Sequence, residues 1–326
     1  MSRIVTIFGG SGFVGRYVAR RLAKDGWRVR VATRDPNEAG VVRTYGEVGQ
    51  VEPVACNIRD DASVAAAMDS ADAVVNCVGI LAEHRKNTFE AIHVDGAGRI
   101  ARLAARAGIP SLVHVSAIGA DPASDSDYLR TKGLGEAVVL AEMPDAVILR
   151  PSIIFGPEDS FFNRFARQSR FGPVLTVVGA ETKFQPVYVD DIAQAASVAL
   201  AGRAAPGIYE LGGPDVRTFR ELMEQMLRII RRRRLIHNMS FGMARFIAGA
   251  FGVVQTVSFG LVRAPLTADQ VRSLAHDNVV GKGARGFGEL GVDPMATGAV
   301  LPEYLWKFRP HGQYEAITES ARDLRV

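Results

Sequence analysis

Short, almost unbroken apolar runs alternate, through the first half of the chain, with longer stretches in which apolar residues recur every third or fourth position. The runs are Ile4–Phe8, Val29–Thr33, Val51–Ala55, Ala73–Val78, Leu112–Ser116 and Val147–Arg150. Strands covered on both faces read this way, so the runs predict a parallel sheet between two helical layers. In the helix expected over Phe13–Asp25, Val14, Val18 and Leu22 keep one face apolar at i, i+4 and i+8. A second helix, Ala91–Ala107, is closed by Gly108 and Pro110, residues that stop helices.

Past Pro151 the pattern loosens. A loop and short helix (Gly156–Phe171) lead to Gln185–Val189, and a helix then opens on Asp190 and Asp191, carboxylates suited to a helix N-terminus. Ile208–Leu211 predicts one more strand, ended by Gly212, Gly213 and Pro214, and from Thr218 onward only helices and loops are expected. The domain expectation is a sheet domain over 1–155, completed by about 184–212. A smaller, mainly helical lobe takes 156–183 and 213–326.

Gly9-Gly10-Ser11-Gly12-Phe13-Val14-Gly15 joins the first strand to the first helix. A glycine pattern in that place lets backbone N–H groups close on a pyrophosphate at the positive end of a helix. The fold class is therefore α/β, a Rossmann-type doubly wound parallel sheet, and the turn predicts a dinucleotide. Gly9, Gly12, Phe13, Val14 and Gly15 are its expected contacts. The second strand ends Thr33-Arg34 where an acidic residue would take a ribose 2′-hydroxyl; a guanidinium there favours a 2′-phosphate and so NADP(H). Arg16 either reaches the same phosphate or is a solvated surface charge. Asn57 and Ile58 follow the third strand on the adenine side. Cys77, Val78 and Gly79 end the fourth, and Pro151 ends the sixth.

Tyr128 and Lys132 lie four apart on one helix face, behind a fifth strand that ends at Ser116. A phenol beside an ammonium can relay a proton. With the glycine turn, this pattern resembles the extended and atypical short-chain dehydrogenases/reductases over nearly the whole chain. The resemblance implies that Lys132 holds the nicotinamide ribose and lowers the tyrosine pKa, with Ser116 the third member of the catalytic set. Two departures put that set in doubt: the second position of the family's serine pair is Ala117, and Tyr128 follows Ser116 by only 12 positions.

Tyr128-Leu129-Arg130-Thr131-Lys132-Gly133-Leu134-Gly135-Glu136 is also similar to one branch of the superfamily, the nucleotide-holding accessory subunits of respiratory complex I. So are Arg150–Asp159 and Pro186–Asp191. That likeness implies a tightly held NADPH with a largely structural role, and complex I subunits as partners. The alternative is an active NAD(P)-dependent reductase, dehydrogenase or epimerase-like enzyme using the Tyr–Lys pair.

Composition adds little: 48% hydrophobic and 23% charged residues suit a globular chain, and a net charge of +4 is too small to argue for nucleic acid. The two cysteines, Cys56 and Cys77, read as reduced thiols, and the histidines show no metal-ligand spacing. With a strand beginning at once, no targeting peptide is expected; the chain is either a bacterial cytoplasmic protein, the preferred reading, or a processed form. Arg228 and Arg231–Arg234 end an amphipathic helix, and Phe246–Val262 carries no charge between Arg245 and Arg263. Two readings stay open: peripheral contact with the inner membrane or a membrane-embedded partner, or a core-packing hairpin with solvated arginines.

Overall fold

The structure, a computed structural model, describes residues 3–257, 267–310 and 312. Two compact units divide the chain: 1–152 with 189–212 and 280–294, and 153–188 with 213–279 and 295–326.

Seven parallel strands form the sheet of the first unit: β1 (Ile4–Phe8), β2 (Arg28–Thr33), β3 (Val51–Ala55), β4 (Ala73–Asn76), β5 (Ser111–Val115), β6 (Val147–Pro151) and β7 (Gly207–Leu211). Their spatial order, β7-β6-β5-β4-β1-β2-β3, reverses direction between β1 and β4. Such a reversal opens a crevice beyond the strands' carboxyl ends. Pro53 is tolerated because β3 is an edge strand. Cys56 N–H donates to Thr33, so the alternate position 53 points away from β2, where no ladder donor is required. The β4 run is shorter than its apolar letters suggest: Val78 N–H turns to the side chain of Asn76 instead of a neighbouring strand.

The flanking helices are α1 (Phe13–Lys24), α2 (Asp61–Ala67), α3 (Asp95–Arg106), α4 (Asp127–Glu142) and α5 (Val189–Leu200). Phe8, Val64, Met68, Ile100, Leu112, Val139 and Ile148 pack into one buried cluster. Burial contributes roughly 1.5–3 kcal/mol for each large side chain. On the other face α5 is tied to α1 by the Arg21–Asp190 ion pair and the Ser197–Asp25 hydrogen bond. The predicted helix at Ala91–Ala107 is not uniform. A π-helical turn, Glu90–Val94, precedes α3 and carries His93 into the interior.

Residues 280–294 were expected in the second lobe but belong to the first unit. They run along the open edge of β7: Glu210 N–H donates to Arg285 at 2.8 Å, and Arg285 in turn bonds Pro206 and covers the ring of Tyr209. A half-buried chain of charge stands behind that edge. Arg150 grips Glu136 with Nε at 2.9 Å and Nη2 at 2.6 Å, and reaches Glu210 at 3.5 Å.

In the second unit Phe162–Gln168, Phe219–Ile229 and Thr297–Leu305 are helical, around a core of Phe155, Phe162, Phe219, Leu222, Met226, Leu301 and Leu305. Asp159 is buried there and accepts the Tyr304 hydroxyl. The expectation of no strand beyond Thr218 is corrected: Leu235–Met239 pairs in parallel with Val174–Val178. The ribbon escaped notice because His237 and Asn238 break its apolar pattern and half of it faces solvent.

The uncharged stretch falls partly on the helix Phe241–Val257, whose Ala244 and Ala248 are buried against Val178 and Val271. Residues 258–262 of that stretch lie outside the described residues. No described helix is long and apolar enough to cross a membrane. Two of the clustered arginines serve local carbonyls: Arg232 Nε donates to Phe308 at 3.0 Å and Arg234 Nε to Ser169 at 2.8 Å.

Candidate nucleotide site

The glycine turn is built at van der Waals limits. Gly9 takes φ +74°, and a methyl group there would lie 3.1 Å from the Cys77 carbonyl and the Val78 nitrogen. One on Gly15 would meet the Gly9 oxygen at 2.3 Å, so turn and helix can be this close only without a side chain. Gly12 is the N-cap of α1 in extended backbone and supplies no side-chain cap. The first N–H groups of the helix, from Phe13 to Gly15, therefore point toward the crevice, which fits an anion.

Beside the turn, the hydroxyls of Ser11 and Thr33 meet at 3.2 Å and bind the end of β2 to it. Arg34 follows, exposed and without a partner among the described residues. The next side chain, Asp35, is turned away: its carboxylate accepts Asn37 N–H at 2.9 Å. Arg16 folds back over the turn, its guanidinium donating to Ser11 at 3.3 Å and to Gly12 at 3.4 Å. It is thus a fixture of the turn. Asn57 accepts from the Arg59 N–H, and Ile58 packs over Gly96, so both are anchored beyond β3.

On the other side of the crevice, Lys132 is buried and its ammonium donates to Val115 at 2.8 Å. Burial lowers its pKa to about 8, against the favourable field of the Glu136 carboxylate. Cys77 is pushed up to about 12 by burial and is a thiol. Tyr128, half-buried, is likewise pushed up to about 12, and burial is the cause. Ser116 is buried beside Val115, and its hydroxyl has no partner among the described residues. An unpaired buried hydroxyl costs ~1–3 kcal/mol, which marks this exit of β5 as suited to a hydrogen-bonding group. Pro151 ends β6 alongside, its carbonyl taking Ile118 N–H at 3.0 Å.

His93, Thr131, Phe89, Asn76 and His114 complete the surroundings, and none of them was singled out in the sequence. His93 Nε2 accepts the Ile80 N–H at 3.2 Å, so its proton sits on Nδ1, which faces the Thr131 hydroxyl at 3.0 Å. Thr131 passes the chain on to the Asp127 carbonyl at 2.8 Å. Burial, and next the Lys132 charge, push His93 down to about 3, so the ring is neutral. Phe89 stacks on it, and Tyr128 stands edge-on to both rings. The helix α4 meets the π-turn so closely that a methyl on Gly135 would sit 2.1 Å from the His93 carbonyl oxygen. A methyl on Gly79 would lie 3.9 Å from both His93 Nε2 and Lys132 Nζ, which places these two groups around one point. Deeper, Asn76 accepts Val78 N–H and donates to His114 Nδ1 at 3.0 Å.

A phosphate-sized turn at one side of the crevice and a Tyr–Lys helix at the other define an NAD(P)-binding protein of the short-chain dehydrogenase/reductase class. The chain belongs to the NAD dependent epimerase/dehydratase family, whose pattern matches residues 5–212. Across 326 residues it is 35% identical to the mitochondrial NADH dehydrogenase [ubiquinone] 1 alpha subcomplex subunit 9 of Arabidopsis thaliana, spanning 98% of this chain and 81% of the relative. The mitochondrial NADH-ubiquinone oxidoreductase 40 kDa subunit of Neurospora crassa is 30% identical over 98% of this chain and 83% of its own. The fold is shared with the Bordetella bronchiseptica enzyme WbmG in complex with NAD, at TM-score 0.68 and 16% identity over 94% of each chain. These relatives overturn one expectation: a bacterial cytoplasm with peripheral attachment to the inner membrane gives way to likeness with mitochondrial subunits.

Proposed function

We propose that this chain is an accessory or assembly subunit of respiratory complex I that holds NADP(H) mainly as a structural ligand. The observation that carries the reading is the contrast between the two sides of the crevice. The phosphate turn is complete and closely packed, whereas burial pushes the Tyr128 phenol up to about 12 and the second position of the serine pair is Ala117. A bound nicotinamide nucleotide supplies hydride chemistry in this class of fold. Here the residues would chiefly bind and orient: the α1 N–H groups the pyrophosphate, Lys132 a ribose, and Asn57 and Ile58 the adenine side. Arg34, exposed at the end of β2 with Asp35 engaged elsewhere, supports the 2′-phosphate form. The nearly full-length likeness to two complex I subunits supports the partner.

The experiment is to purify the chain without added nucleotide, denature it and identify what is released. NADP(H) near one per chain, and co-migration with complex I on native gels, are the expected results. Empty protein with steady turnover of a carbonyl substrate would install the reductase reading instead.

A further inference from the structure

We infer that the bare end of the Val174–Val178/Leu235–Met239 ribbon is a docking surface for a partner-protein segment that combines an apolar side chain with carboxylates. The inference rests on the accessory-subunit reading above. It begins with the two faces of the ribbon. Leu175, Val177 and Ile236 face inward onto the core of the second unit. On the opposite face the far end, Val178 and Met239, is covered by Ala244, Ala248 and Val271. The near end of that same face is not covered. Val174 and Leu235 are register partners and remain 43% and 73% exposed, and Phe171, just upstream, is 75% exposed. The bare apolar end, Val174 and Leu235, is thus set apart from the covered end by the polar pair Thr176 and His237.

Charge decides what fits it. Arg234 Nε bonds the Ser169 carbonyl at 2.8 Å, which brings the arginine run onto the turn that holds Arg170 and Phe171. Arg232 is fixed through its own Nε to Phe308 at 3.0 Å. After burial, the fields of Arg234 and Arg170 are what disfavour the charge on Arg232, so the three guanidiniums crowd one another. None of the three has an ion pair among the described residues. Nε tethers hold Arg232 and Arg234, the latter also donating from Nη1 to Arg233 at 2.8 Å, while Arg170 is exposed; their remaining guanidinium N–H groups suit a carboxylate in a planar fork geometry that lysines would not give. An apolar anchor rimmed by such forks suits an acidic–apolar protein segment.

The test uses the full chain and complex I prepared from the encoding organism with this gene deleted. A benzoylphenylalanine placed at Leu235 is expected to crosslink to an acidic stretch of one complex I subunit. Arg170→Glu and Leu235→Asp, both at exposed positions, are each expected to weaken reincorporation by about tenfold or more. Their thermal melts and nucleotide content should match the unmutated chain. If the variants reincorporate as well as the unmutated chain, this surface is overturned and the accessory reading stands. If the unmutated chain itself fails to reincorporate, the accessory reading falls first. Vesicles of phosphatidylglycerol form the last arm: binding there that Leu235→Asp abolishes, without a protein crosslink, would assign the surface to lipid and overturn the proposal.

Discussion

The ammonium of Lys132 donates to the carbonyl of Val115 at 2.8 Å, so the exit of β5 holds the charged end of α4 in place. Because its pKa is lowered to about 8, that charge is lost as pH rises through about 8, well before an ordinary lysine loses its own. If the ammonium grips the nucleotide's ribose, NADPH affinity is level below pH 7 and weakens above about 8, by up to tenfold per pH unit. Folding moves the other way. Between about pH 8 and the unfolded value of 10.5 the unfolded chain binds more protons, so this residue makes folding more favourable as pH rises. Titration calorimetry beside thermal melts separates the two, and Lys132→Met should weaken binding and remove its pH step. A pH-independent Kd in the unmutated chain would sink the role.

Arg34 should set the cofactor preference. Losing a charge-assisted contact costs ~1.5–3 kcal/mol, so Arg34→Ala should weaken NADPH by roughly 10–100-fold and leave NADH nearly unchanged. Equal affinities for the two nucleotides before mutation would remove the claim.

Two glycines of the turn should fail differently. Gly12 is in extended backbone, and a methyl there would lie 3.2 Å from the Gly9 oxygen, so Gly12→Val should keep the fold while blocking nucleotide. At Gly15 the same atom is met at 2.3 Å, so Gly15→Ala should lower the melting temperature as well. Nucleotide content and melting curves on both variants read this out; identical behaviour would mean that the site lies elsewhere.

Tyr128→Phe distinguishes holding from turnover. With the phenol near pKa 12, removing its hydroxyl should leave NADPH affinity within about twofold, a change of under ~0.5 kcal/mol. Steady NADPH oxidation by some carbonyl compound, abolished in this variant, would show that Tyr128 relays a proton after all.

Arg231 offers a stability prediction. It takes φ +52° at the end of the helix Phe219–Ile229, where Arg231 N–H bonds Arg228 and Arg232 N–H bonds Leu227. Glycine is at ease in such a left-handed cap and a branched chain is not. Arg231→Gly should therefore stabilise by ~0.5–1 kcal/mol, visible as a raised urea midpoint. A lowered midpoint would show that the side chain contributes more than the strain costs.

How legible all this was depends on distance along the chain. Strands such as Ile4–Phe8 announced themselves because sheet faces covered twice need continuous apolar runs, and the glycine turn and the Tyr128–Lys132 spacing are local patterns. His93 was silent. Its meaning comes from Ile80 and Thr131, brought to it by tertiary packing, and from a π-turn that the smooth helical period of Ala91–Ala107 conceals. The Leu235–Met239 strand failed for another reason: its exposed residues, Leu235, His237 and Asn238, do not alternate with apolar ones, so there is no period strong enough to read. The return of 280–294 to the first unit depends on the backbone bond from Glu210 to Arg285 and on Arg285 reaching Pro206 and Tyr209, contacts that leave no local pattern in the sequence.

That return imposes an order on the ribosome. Six of the seven strands have been made by residue 151, yet β6 gains its outer neighbour only when Gly207–Leu211 has emerged, and β7 gains its cover only with Arg285. At translation rates of about 5–20 residues per second, the nascent sheet carries an unpaired β6 edge for roughly 3–11 s. Throughout that interval Arg150 has Glu136 but not Glu210. An open strand edge is where a neighbouring chain can add, so a ribosome stalled between β6 and β7 would release a sticky, nearly finished sheet.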